Sequence, residues 1–166
     1  MPMKPQKQMT ANDKPPSSPA LLIEIQRADN ACYIPTDAQL QQWLYAACCP
    51  DAAGHEVCLR IVDREEMTEL NRRFRHKNQA TNVLSFPADI PEELALPLLG
   101  DIVICADVLA EQAREQGKTA DAHWAHICIH GLLHLQGYDH INDQDAQIME
   151  TLETQILADL GYDSPY

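Results

Sequence analysis

No run of eighteen apolar residues occurs anywhere in the 166-residue chain, so nothing in it is built to cross a membrane as a helix. The six cysteines, at 32, 48, 49, 58, 105 and 128, include no CxxC pair. The first twenty residues hold five prolines and no apolar stretch of the secretory type, which excludes an export signal and predicts a disordered tail over residues 1–20. Without such a signal the cysteines are expected to be reduced, buried or half-buried cytoplasmic thiols and not ligands. Lys and Arg are absent from Thr119 to the last residue, where eight acids stand. The net charge of −13 argues against a polyanion as a partner of the whole surface.

The distribution softens that objection. Arg60, Arg64, Arg72, Arg73, Arg75 and Lys77 are half of the twelve Lys and Arg, and residues 72–77, RRFRHK, carry four cations and no acid. A basic edge of this kind fits RNA on one side of the molecule. It equally fits a solvated helix end with cations near its C-terminus.

The most informative segment is HGLLHLQGYDH, residues 130–140. His130 and His134 are four apart and share a helix face. Gly137 suits the left-handed backbone that ends a helix, after which the chain can return His140 to the same point. Three neutral imidazoles around one point suit a zinc-like cation, with the fourth position left to water, which is the catalytic arrangement. His126 adds a further turn to the stripe. His126 and His134 are separated by about 12 Å of helix rise, so one ion takes either the 126/130 or the 130/134 pair, and the position of His140 favours the latter. His126 is then a packed histidine or one behind the ligands. His123, His55 and His76 read as ordinary polar residues, with His76 a candidate phosphate contact. The spacing HxxxHxxGxxH is that of metzincin proteases, whose first histidine is followed by a glutamate base; here that position is Gly131. Metal binding is supported, and a metallopeptidase or amidase lacks its base.

Periodicity predicts strands at 21–26, 55–62, 81–87 and 100–105. It predicts helices from Asp37 to about Cys49, after Asp63, from Asp107 to Gln116, from Thr119 into the histidine segment, and from Asp143 to Leu160. Expected core positions include Leu40, Trp43, Leu44 and Ala47 in the first helix. In the second they are Met67, Leu70 and Phe74, and in the last Ile148, Met149, Leu152, Ile156, Leu157 and Leu160. In the second strand Val57, Leu59 and Ile61 face one way and Cys58, Arg60 and Val62 the other. Arg60 then either meets a salt-bridge partner or aims at a substrate anion. The last two strands, joined only by a loop at 91–97, are expected to pair antiparallel or at an edge. The order β-α-β-α-β-β-α-α-α is a single α+β domain over residues 21–166, a small mixed four-stranded sheet packed on helices around a central histidine-bearing helix.

With these pieces placed, the chain resembles the YbeY family of bacterial rRNA-maturation endoribonucleases. The resemblance rests on LRIVD (59–63), NxxFRxK (71–77), TNVLSFP (81–87), LLGDIVIC (98–105), AHWAHICIHGLLHLQGYDH (122–140) and the segment from Met149 to Tyr166. It implies a metzincin-like fold and a cytoplasmic, single-strand-specific, zinc-dependent endoribonuclease. Its substrate would be the 16S rRNA precursor, processed at the 3′ end. The same resemblance implies a part in ribosome quality control, with the ribosome or ribosomal proteins as partners. It places one zinc ion on His130, His134 and His140 and a functional arginine at Arg60, where the guanidinium fork suits phosphate. Asp139 is a candidate to orient an imidazole or take a proton. Arg72, Arg73, Arg75 and Lys77 join Arg60 as candidate RNA contacts. A non-catalytic assembly factor with a structural zinc would need a fourth protein ligand, and none is evident nearby.

Overall fold

The computed structural model describes residues 20–28, 32–94 and 96–166; all but Ala20 of the expected tail lies outside them. The order is β1 (Leu22–Arg27), α1 (Asp37–Ala47), β2 (Glu56–Val62), α2 (Arg64–Arg75), β3 (Val83–Pro87), β4 (Leu98–Cys105), α3 (Ala106–Gln116), α4 (Ala120–Leu135) and α5 (Asp143–Asp159), with short 3-10 turns at Pro50–Ala52 and Glu92–Leu94. The helix starts follow their caps. Thr36 closes a capping box with Gln39 ahead of α1. The side chains of Asp63, Thr119 and Asn142 accept from Glu66, Ala122 and Asp145 backbone N–H, each satisfying a donor with no intrahelical partner. Gly117 ends α3 with φ 65°.

The four strands form one sheet in the order β1-β2-β4-β3. β1, β2 and β4 are parallel, and β3 joins β4 antiparallel, as expected for strands linked by a loop. One face carries the main core: Val57, Leu59, Ile61, Ile102 and Ile104 pack with Leu40, Trp43 and Leu44 of α1 and with Trp124, Cys128, Ile129 and Leu132 of α4. Both faces of α4 are apolar enough to sit centrally, between the sheet, α1 and α5, so its backbone is the most constrained in the molecule. The other sheet face has a smaller cluster of Val62, Met67, Leu84, Val103, Cys105 and Val108 beneath α2.

Two expected core residues are not buried. Phe74 is 55% exposed and Ile148 is 48% exposed. Phe74 lies in the last turn of α2 and Ile148 in the first half of α5. His123 departs in the other direction: it is buried, donates from Nε2 to Gln112 Oε1 over 2.8 Å, and burial, with help from the nearby His126 and Lys118 charges, lowers its pKa to about 4. It is a neutral packing residue.

Candidate metal centre

Helix α4 delivers His130 and His134 on one face. The helix stops where Gln136 reaches back to the end of α1: its Nε2 donates to Ala47 O at 2.8 Å and its Oε1 accepts from Cys49 N at 2.7 Å. Gly137 then takes φ 98°, and Tyr138 N donates to Leu133 O at 3.1 Å. This glycine-ended turn brings His140 back over the last helical turn. Asp139 accepts from the His140 backbone N–H at 2.8 Å, fixing the peptide that carries the third ring.

The rings converge. His130, His134 and His140 centroids are 4.9, 5.5 and 5.1 Å apart pairwise, and one nitrogen from each lies within 4.8 Å of the others. The expected trio is therefore brought together, with no fourth side chain in the group among the described residues. His134 is half-buried, and its pKa is lowered first by burial, then by the His130 and His140 charges. A neutral ring with a free lone pair is the form that ligates a metal.

Sequence reasoning missed Glu153 of α5. It is wholly buried and accepts from His130 Nδ1 at 2.5 Å, from His126 Nε2 at 3.0 Å, and from the Tyr166 hydroxyl. Burial raises its pKa, but the bonds from His126, His130 and Tyr166 together outweigh that and bring it down to about 2. Burial and then the Glu153 bond hold the Tyr166 phenol well above its usual value. The consequence for His130 is geometric: with Nδ1 donating to a carboxylate, Nε2 is the nitrogen free to ligate, and the ring cannot turn away. His126, His130 and Glu153 also lie within 4.8 Å of one another, but both carboxylate oxygens are spent on ring nitrogens. The 130/134/140 set is the one that fits a cation: three ring nitrogens, a carboxylate orienting the first of them, and an exposed third ring.

Gly131 explains the missing protease base. A Cβ there would lie 2.9 Å from Ile102 Cγ2, and Ser85 Oγ donates to Gly131 O at 3.3 Å. The position faces the sheet, not the cleft, and admits no side chain.

The sequence profile described as Endoribonuclease YbeY matches residues 25–161. The chain belongs to the YbeY endoribonuclease family. Among curated proteins named endoribonuclease YbeY, that of Pseudomonas putida strain F1 is 54% identical over 147 residues, covering 88% of this chain and 93% of the relative. That of Stutzerimonas stutzeri is 57% identical over 133 residues, covering 80% and 83%. A solution structure from Thermotoga maritima shares the fold with a TM-score of 0.53 at 24% identity, covering 84% of this chain and 92% of that one. Membership makes this YbeY-family chain an endoribonuclease, a hydrolase, and its α+β fold with a mixed four-stranded sheet is that of its structural neighbour. No helix among the described residues is long and apolar enough to cross a membrane.

The cations divide. Arg60 alternates with the core residues Leu59 and Ile61 and so projects from the sheet face opposite α4, where it is ion-paired with Glu66. The salt-bridge alternative is realised in a pair whose side chains are both more than one-third exposed. Arg75, at the end of α2, is close enough for its charge to lower the His134 pKa. Arg72 bonds Glu69 at 2.5 Å and Arg73 stacks on Phe74, while Lys77 and His76 are exposed. His76 adopts φ 59° as the helix cap, a shape role. A hollow of about 610 Å³ over the α2 face of the sheet carries Glu24, Glu56 and Asp101; three carboxylates there repel phosphate, so it is unsuited to RNA. A smaller cavity of about 220 Å³ lies against His130, His140, Met149, Glu153 and Tyr166, beside the ligand set.

Proposed function

We propose that this YbeY-family chain is a zinc-dependent endoribonuclease that cuts single-stranded RNA. Its substrate in this reading is the 16S rRNA precursor, cut during 3′-end maturation and ribosome quality control. It would work in the cytoplasm with the ribosome or ribosomal proteins as partners. The observation that carries the reading is the convergence of His130, His134 and His140 beside an open face, with a buried carboxylate orienting the first of them. Imidazole ligands suit zinc, though nickel and copper accept the same donors, and the metal is read by elemental analysis. When bound, zinc supplies Lewis acidity sufficient to bring a coordinated water to a pKa of about 7.

The chain's own residues do the rest. Glu153 holds His130 with Nε2 free, and Asp139 holds the His140 peptide. In this reading Asp139 is the residue that accepts a proton. Arg75 offers a guanidinium fork to a phosphate approaching His134, and Arg72, Arg73 and Lys77 extend the positive edge along the strand of RNA. We assign the phosphate-facing role to Arg75 in place of Arg60, whose charge is taken up by Glu66. The test is cleavage of a 16S 3′-precursor by purified protein, with chelator and with the three-histidine variant as controls, and casein alongside. Cleavage of casein and not of RNA refutes the reading in favour of a peptidase. A 2′,3′-cyclic phosphate on the RNA product identifies the 2′-hydroxyl as nucleophile; its absence identifies water.

A further inference from the structure

Phe74 is more exposed than a phenylalanine on an amphipathic stripe should be. Leaving such a ring half in water forgoes much of the burial it could gain. It is nevertheless held in place: its ring meets Phe86 edge-on with centroids 5.0 Å apart at 62°, and the Arg73 guanidinium lies 5.5 Å from its centroid. Arg72, Arg73, Arg75 and Lys77 flank it in sequence, in an acid-free segment of a chain that is otherwise strongly negative. The ring lies at the edge of the sheet, on the face opposite α4. β3 is the edge strand; Ser85 on one of its faces touches α4 at Gly131, and Phe86 on the other touches Phe74. Arg75 is the next residue, at the C-terminal end of α2.

We infer that Phe74 is a stacking platform for one nucleobase of a single-stranded RNA whose neighbouring phosphate lies at Arg75. The inference rests on the endoribonuclease reading and adds to it a physical basis for strand preference. A fixed aromatic face among cations is how proteins take up unpaired bases, each of which has a free π-face. A base inside a duplex has already spent both faces on its neighbours and has none to offer Phe74. The same ring would not select sequence, since stacking tolerates any base.

The experiment measures binding of the metal-loaded full chain to a labelled single-stranded 2′-O-methyl phosphorothioate RNA, which resists cutting, and to the same backbone with abasic positions. Phe74→Ala is expected to weaken binding to the base-bearing strand about tenfold. Phe74→Trp should stay within about twofold of wild type, and Phe74→Ala should match wild type on the abasic strand and on a duplex. Wild-type affinity in Phe74→Ala overturns the platform, and so does an equal loss on the abasic strand, which would mean that the ring merely props up Arg73 and Arg75. Rescue by Trp shows that a loss in Ala is not misfolding. A wild-type protein that neither binds this strand nor cuts ordinary RNA overturns the endoribonuclease reading and the platform together; one that does both while Phe74→Ala binds normally overturns the platform alone.

Discussion

Replacing Glu153 by Gln keeps the shape of the side chain and removes its charge at the one point where three donors converge. The carboxylate is fully buried, and its pKa falls from 4.5 to about 2 in the folded chain. At about 1.4 kcal/mol per pKa unit that shift is worth about 3 kcal/mol of stability. The sign follows from the direction: a carboxyl with a depressed folded pKa stabilises fully above about pH 4.5, and the contribution disappears as pH falls from there through about 2. Gln also presents an NH2 where one of His126, His130 or Tyr166 already points a proton, which leaves a buried donor unpaired. The assay is urea unfolding of metal-free wild type and Glu153→Gln between pH 7 and pH 2.5, followed by zinc titration at pH 7. Expected are a stability gap of about 3 kcal/mol at pH 7 that narrows in acid, and a 10- to 100-fold weaker metal affinity, the usual loss when the group behind a ligating histidine is removed. A gap that is constant across this pH range would refute the electrostatic account. Unchanged zinc affinity would refute the claim that Glu153 sets the His130 tautomer.

Three further outcomes follow from the same geometry. His134→Ala should emerge from gel filtration without metal and His126→Ala with it, because only the former ring belongs to the converging trio; elemental analysis in the reverse order would move the site one turn up α4. Arg75→Ala should lower single-strand cleavage at least tenfold with metal content intact, whereas Arg60→Ala, which breaks a pair more than one-third exposed, should change stability by no more than about 1 kcal/mol and leave cleavage within about twofold. Loss of cleavage in Arg60→Ala alone would return the functional arginine to β2. Gly131→Ala should destabilise the fold by about 1–3 kcal/mol in a thermal or urea melt, since its Cβ meets the branched carbon of Ile102 at 2.9 Å; an unaffected melt would mean that α4 shifts freely off the sheet.

Much of this was legible because the local signals agree. The capping residues Thr36, Asp63 and Thr119 mark real helix starts, and strand alternation puts Leu59 and Ile61 together with Arg60 opposite. What alternation does not carry is which face the histidine helix covers, so the sequence left Arg60 free to be either a salt bridge or a substrate ligand. The same limit misplaces Phe74 and Ile148: a period of 3.6 identifies a stripe, but not which of its positions another element covers. Glu153 had a readable signal. Met149 and Leu157, four residues to either side, are both buried, so an acid midway on that stripe must be buried too, and a buried carboxylate demands donors. The histidines of α4 are the donors the chain has to offer.

That placement also accounts for the departure from the protease motif. In a metzincin the acid stands beside the first histidine on the same helix and works on the substrate's water. Here that position packs into the sheet against Ile102, and the acid arrives from α5 on the far side of His130, bonded to the ring itself. An acid so placed is buried and bonded to His126, His130 and Tyr166, so its role is to orient a ligand and not to act as the base for bond cleavage. A phosphodiester brings charged oxygens that Arg75 and the ligand set can neutralise, a need different from that of a neutral peptide carbonyl. The exchange of a mobile base for a fixed orienting carboxylate is therefore consistent with RNA, and a Gly131→Glu variant that retained the fold should still fail to cut casein.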